Sequence, residues 1–386
     1  MAVAAEFACG QELRIATRDG AQQPLMLSGS DARQQLIVTG RRSVAGSDFT
    51  RAARYSVEPD GVVRVDENGI VSAVGNGSAV LTALADGAVA HLPVRVEKFG
   101  QDPPINFPNQ IVPIFTKLGC NAGGCHGKSG GQNGFRLSLL GFEPSEDYEH
   151  LVKEARGRRI FPAAPERSLL LEKAAAIIPH GGGKRLDVGS DDYRLLIRWI
   201  SQGMPYGSAT DPTVARIEVF PAERIMRPAA EQQLAVTAVY TDGSTQDVTR
   251  QALYETNAQD VASVDADGYV KLFNQPGDVA VMIRYQGRVA VFRATEPLGA
   301  PIAAMPPARN FIDELAFKKL SQMGMPPSPV CDDSTFIRRA TIDIAGRLPT
   351  PGETRAFLAD DDSAKRNKLV DRLLDSTDYA EYFANK

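Results

Sequence analysis

Two stretches of the chain alternate apolar and polar residues in short runs. In the first, Leu36 and Val38 precede Val62, Val63 and Val65, then Ile70-Val71-Ser72-Ala73-Val74 and Ala79-Val80-Leu81-Thr82-Ala83-Leu84. A period of two turns one face of a strand inward and the other outward. Asn-Gly and Asp-Gly pairs at Asn68, Asp86, Asp242 and Asp267 punctuate the runs, as in tight hairpins of a half-buried antiparallel sheet. Between the two stretches the period changes. Ile111, Ile114, Phe115 and Leu118 fall at i, i+3, i+4 and i+7, one helix face, with Pro113 delaying or kinking its start. Ser190-Asp191-Asp192 caps a helix carrying Tyr193, Leu195, Leu196, Trp199 and Ile200, which stops at Gly203. Pro165–Lys173 reads as a third helix. From 309 onward the pattern is helical. Phe311, Leu315, Phe317 and Leu320 mark one helix, Ser334 caps a second through Ala345, Thr350-Pro351-Gly352-Glu353 is a capping box, and Leu369, Leu373 and Leu374 line a fourth.

The two strand-rich stretches are copies of one another. Gln34-Gln35-Leu36-Ile37-Val38-Thr39 recurs as Gln232-Gln233-Leu234-Ala235-Val236-Thr237. Asp48-Phe49-Thr50-Arg51 recurs as Asp247-Val248-Thr249-Arg250, Tyr55 as Tyr254, and Asp66-Glu67-Asn68-Gly69 as Asp265-Ala266-Asp267-Gly268. Matches in order at a nearly constant offset mark an internal repeat. Each copy, roughly 80 residues with several short strands, has the size of a small β-sandwich. The copies, at 12–97 and 214–296, resemble the bacterial immunoglobulin-like domain, group 2. That resemblance implies a rigid spacer or an adhesive module.

Composition narrows the class. The chain has 386 residues, 43% hydrophobic and 23% charged, which is globular composition. Its length predicts two to four domains at roughly 100–200 residues each. A net charge of -4 argues against nucleic acid as a partner. No apolar run approaches the ~18 residues of a membrane span. Four cysteines are too few for a disulfide scaffold. The start, Met1 to Phe7, shows no export signal, and the end, Tyr382 to Lys386, falls inside an amphipathic helix, so a fragment of a longer protein is expected. Cys9 and Cys331 read as lone thiols. Asp343, Arg338, Arg339 and Arg347 read as a structural ion network rather than a site.

The candidate chemistry lies in Cys120-Asn121-Ala122-Gly123-Gly124-Cys125-His126-Gly127. Two thiols can add to the two haem vinyl groups, and a histidine directly after the second can reach the iron. The usual spacing has two residues between the thiols, and here there are four, with glycines that let the loop bulge. The same residues leave two alternatives open: a Cys120–Cys125 disulfide, or zinc on Cys120, Cys125, His126 and His180.

The order of elements around this loop resembles a class I cytochrome c domain. The stretches 120–127, 133–142, 158–165 and 179–183 resemble the cytochrome-like domain of large planctomycete secreted proteins, which immunoglobulin-like repeats flank and a helical domain of unknown function follows. The resemblance implies one covalent haem c per chain on Cys120 and Cys125, with His126 as proximal iron ligand. It implies His180 as distal ligand from the loop before the closing helix, with Met204 as the rival; His150 reads as a surface residue and His91 as an ordinary strand residue. Two imidazoles imply a lower potential than His/Met. The expected fold is thus an all-α class I-like cytochrome domain at 104–207 between two all-β sandwiches, with the start of a helical domain at 307–386. The expected function is electron transfer outside the cytoplasm, periplasmic or extracellular. An unknown redox protein and the chain's own C-terminal continuation are the expected partners, and no catalytic residue is assigned. The alternatives are a redox domain of a larger enzyme whose catalytic part lies beyond residue 386, or a structural or adhesive array without haem.

Overall fold

The computed structural model describes residues 13–18, 24–40 and 47–386; Cys9 lies outside them. The chain divides after Gly299 into two units.

In the first repeat a four-stranded sheet runs in the order Leu25–Ser28, Ala88–Glu97, Gly77–Ala85, Arg54–Glu58. A three-stranded sheet of Leu13–Ala16, Ile37–Gly40 and Ser47–Asp48 closes the sandwich. A small third sheet joins Arg33–Gln35, Ile70–Ala73 and Val63–Val65. The second repeat reproduces all three sheets, and in each copy the strand after the first edge pairs in parallel with the last strand. The long hairpin explains the period of two. Ala79, Leu81, Ala83 and Ala85 point inward, while Val80 and Leu84 stay over two-fifths exposed. Ile15, Leu36, Val38, Leu81 and Leu92 fill the first core. Leu234, Val236, Val281, Ile283 and Phe292 fill the second.

The middle segment departs from expectation. It is not an all-α cytochrome core, and the chain is a mixed β and α structure. Its one helix of eleven residues is Asp191–Ser201, capped by Ser190, whose Oγ accepts from Tyr193 N. Val112–Lys117, Pro144–Tyr148 and Leu169–Ala174 are each of five or six residues, joined by single wide or tight turns. Helices stay short because backbone in the left-handed region interrupts them, at Asn133, Leu140, Ala155, Arg156 and Ala176 as well as at glycines. The core is aromatic. Phe107 lies 5.4 Å from Trp199, its ring tilted by 35°, and meets Tyr148 edge-on at 5.3 Å, and Trp199 Nε1 donates to Pro205 O.

The second unit is five helices: Phe311–Met323, Asp333–Ala345, Pro351–Ala359, Lys365–Leu374 and Thr377–Asn385. Ile337, Ala345, Phe357, Leu369 and Leu373 form its core. The capping box at Thr350 and Glu353 is present. The second helix is capped by Asp332, two residues before Ser334, whose hydroxyl donates to Asp332 instead. Arg338, Arg339 and Asp343 are exposed. The ion network is Arg347 between Glu353 and Asp378.

Candidate functional site

The loop singled out by its Cys-His pair is tightly folded. Cys120 N donates to Phe115 O, Cys125 N to Ala122 O and His126 N to Cys120 O, so backbone bonds fix both thiols and the imidazole. Gly127 is required by packing, because a Cβ there would lie 2.0 Å from Asn121 O. Cys120 and Cys125 are free thiols, so the disulfide alternative is not formed. Burial pushes the Cys120 thiol up to about 11, which keeps it protonated and a poor nucleophile at neutral pH. His126 and His180 do come together. Their rings are nearly parallel, 9° apart, with centroids at 6.4 Å. His126 Nδ1 donates to Phe135 O and His180 Nδ1 to Gly183 O, each at 2.9 Å, which fixes the orientation of both rings. Burial lowers the basicity of His126, and the neighbouring His180 adds to the effect.

The rival ligands are elsewhere. Met204 packs partly buried against the middle core, its backbone oxygen taking the Tyr148 hydroxyl. His150 is buried, not a surface residue, and its Nε2 accepts from Arg136 Nε at 2.9 Å. His91 pairs with Thr82 across an exposed sheet face. Among the described residues no group of three or more His, Cys, Asp or Glu side chains gathers to hold a metal ion, so the four-ligand zinc alternative is not assembled.

A second site lies at polar positions of the repeat that match no chemical motif. The two repeats dock on each other through equivalent positions. Asp247 Oδ2 accepts from Gln34 Nε2 and Gln35 N of the first sandwich, both at 2.9 Å. Reciprocally, Asp48 Oδ2 accepts from Gln232 Nε2 at 2.8 Å and from Gln233 N of the second. Arg51 reaches Gln233 Oε1 and Asp265, each at 3.1 Å, and lies over the Tyr269 ring. Its counterpart Arg250 reaches Asp66 at 3.5 Å. Each sandwich prepares its half of this clamp in the same way. Thr50 N donates to Asp48 Oδ1 and Thr249 N to Asp247 Oδ1, which aims the other carboxylate oxygen outward. Gln35 Nε2 is held by Leu36 O and Asn68 O, and Gln233 Nε2 by Leu234 O and Asp267 O. Tyr55 and Tyr254 donate to Thr50 O and Thr249 O, both at 2.7 Å. Burial raises both carboxyls, Asp247 to about 6.

The middle segment wedges against both sandwiches. Lys117 Nζ donates to Ala252 O and Ala266 O of the second, and burial lowers its pKa to about 8. Arg33 of the first pairs with Asp191, and Arg198 pairs with Asp31.

Comparison with known proteins gives one family match and several distant structural likenesses. Residues 311–386 match a family described as PSCyt2, protein of unknown function (DUF1549). No curated protein matches the chain. Among solved structures, the S-layer protein rSbsC is similar over 76% of this chain and 28% of its own, at 10% identity and a TM-score of 0.21. Domains 5–6 of the S-layer protein SbsC give 13% identity over 74% and 99%, with a TM-score of 0.27. Extracellular domains 3–5 of Drosophila OTK give 8% identity over 73% and 61%, with a TM-score of 0.15. The chain spans about a quarter of the first of these. Superpositions of that quality carry no argument about this chain.

The expectation of a cytochrome is therefore corrected. The family match falls on the helical unit alone, and its description assigns no function. The middle segment lacks the all-α core that a class I-like domain requires, and no cluster of metal donors forms among the described residues. Haem, iron, electron transfer, the redox-domain alternative and the planctomycete-type recognition fall together. No helix among the described residues is long and apolar enough to cross a membrane.

Proposed function

We propose that the first unit is a rigid structural scaffold within a multidomain protein outside the cytoplasm, with paired sandwiches as its spacers. The observation that carries this reading is the reciprocal Asp–Gln clamp. Tandem sandwiches joined only by a linker would pivot. Here each carboxylate crosses the interface with two charge-assisted hydrogen bonds, worth about 1.5–3 kcal/mol apiece before the desolvation of the charge is set against them. The Lys117 and Arg198 contacts brace the pair from the middle segment. The periplasmic or extracellular location belongs to the same proposal, and recovery of the native protein in the cytoplasmic fraction would overturn that part.

Amide hydrogen exchange on the full chain tests the scaffold directly. The backbone N–H groups of Gln35 and Gln233 donate to the other sandwich, so their protection reports docking. Both amides are expected to be protected in the wild type. Asp247→Ala should release Gln35, and Asp48→Ala should release Gln233, while central-strand amides of Leu81 and Val281 keep their protection. Unprotected Gln35 and Gln233 in the wild-type chain would refute the scaffold.

A further inference from the structure

The interface between the repeats is self-complementary. The central clamp repeats at equivalent positions of the two sandwiches: Asp48 and Asp247 as acceptors, Gln34-Gln35 and Gln232-Gln233 as donors. The arginines follow the same exchange, Arg51 toward Asp265 and Arg250 toward Asp66. A patch that carries both halves of a reciprocal clamp fits a second copy of itself about a two-fold axis, as in an isologous dimer.

We propose that this patch is a homotypic recognition surface, whose partner is the same patch on a second copy of this chain, and which the native chain occupies internally. The second sandwich carries the complete set. Asp247 of one copy would accept from Gln232 Nε2 and Gln233 N of the other. Arg250 would meet Gln233, Asp265 and the Tyr269 ring, as Arg51 does within the chain. Tyr269 stands where the first repeat has Ile70, so pairing two second sandwiches adds an aromatic face for each arginine. Internal pairing wins in the native chain because the wedged middle segment holds the two sandwiches at a high effective concentration. The inference rests on the docked pair of the scaffold reading.

The test expels the first sandwich from the clamp in the full chain. Asp48→Lys with Arg51→Glu sets an ammonium against the donors of Gln232 and Gln233, and a carboxylate against Asp265. This variant is expected to form a concentration-dependent dimer by analytical ultracentrifugation, at concentrations where the wild type does not. The Gln233 amide should be protected in the dimer and lose protection on dilution. Adding Asp247→Ala should abolish the dimer. A variant that keeps the wild-type mass at every concentration, with Gln233 exchanging freely, overturns the proposal. If the double variant loses protection at Leu81, the isosteric Asp48→Asn chain carries the test, and absence of any dimer there overturns the proposal equally. Failure of the scaffold is read separately, from the wild-type protection of Gln35 and Gln233.

Discussion

Lowering the pH from 7 to 4 should stabilise the docked sandwiches, and Asp247→Asn should remove much of that gain. Asp247 Oδ1 accepts from Thr249 N within its own sandwich, and Oδ2 accepts from Gln34 and Gln35 across the interface. Burial raises the carboxyl from 3.8 to about 6, and the hydrogen bonds and Arg250 only partly oppose it. The folded chain therefore binds this proton more tightly than the unfolded chain does. The stabilisation is fully present below about pH 4 and is lost as the pH rises through about 6. The displacement corresponds to at most about 3 kcal/mol, less what solvent screens at the partly exposed rim. Asparagine does not titrate. It turns an N–H₂ either toward Gln34 and Gln35 or toward Thr249, a mismatch of about 1–3 kcal/mol that does not change with pH. The assay is urea unfolding followed by Trp199 fluorescence, at pH 4, 5, 6 and 7, for both chains. Subtracting the variant from the wild type cancels Asp48, Asp147 and Asp192, whose carboxyls burial also raises. The wild type should gain about 2–3 kcal/mol on the variant between pH 7 and pH 4. A difference independent of pH would show that the carboxylate is solvated and the clamp open.

Gly127→Ala forces a Cβ into the Asn121 carbonyl and should destabilise the first unit by about 2 kcal/mol, seen as a lower urea midpoint at Trp199. Arg347→Ala removes a guanidinium shared by Glu353 and Asp378 and should cost the helical unit about 1 kcal/mol, read from exchange of the Pro351–Ala359 amides. Arg347 also holds the Glu353 carboxyl down to about 2, so its contribution is present above pH 4.5 and fades as the pH falls toward 2. Cys120, Cys125 and Cys331 should all alkylate in denaturant without reductant. In the native chain Cys120 should react slowly at pH 8, and a Cys120–Cys125 bridge by mass would contradict the loop geometry.

The alternation at 79–85 and the Asn-Gly and Asp-Gly turns make the long hairpins legible in the sequence alone, because a period of two has one physical reading on a half-buried sheet. The caps at Ser190 and Thr350 are equally legible, since they satisfy N–H groups within one turn. The Cys-His loop misleads because adjacency along the chain names a chemistry without supplying its surroundings. Short helical turns broken by left-handed residues stand in place of the all-α core that the resemblance implied. The clamp does leave a signal in the repeat. Beside apolar identities such as Leu36 and Val38, the two copies share polar positions: Gln34-Gln35, Asp48, Thr50-Arg51 and Asp66 with their counterparts. A sandwich core needs only apolar residues at inward positions, so shared polar ones point to a surface in use. Sequence determined that there are two like sandwiches, because hydrophobic periodicity is local. Only the tertiary structure decided that they face each other, because the hydrogen bond from Gln35 to Asp247 joins residues 212 positions apart and forms only when the sandwiches dock.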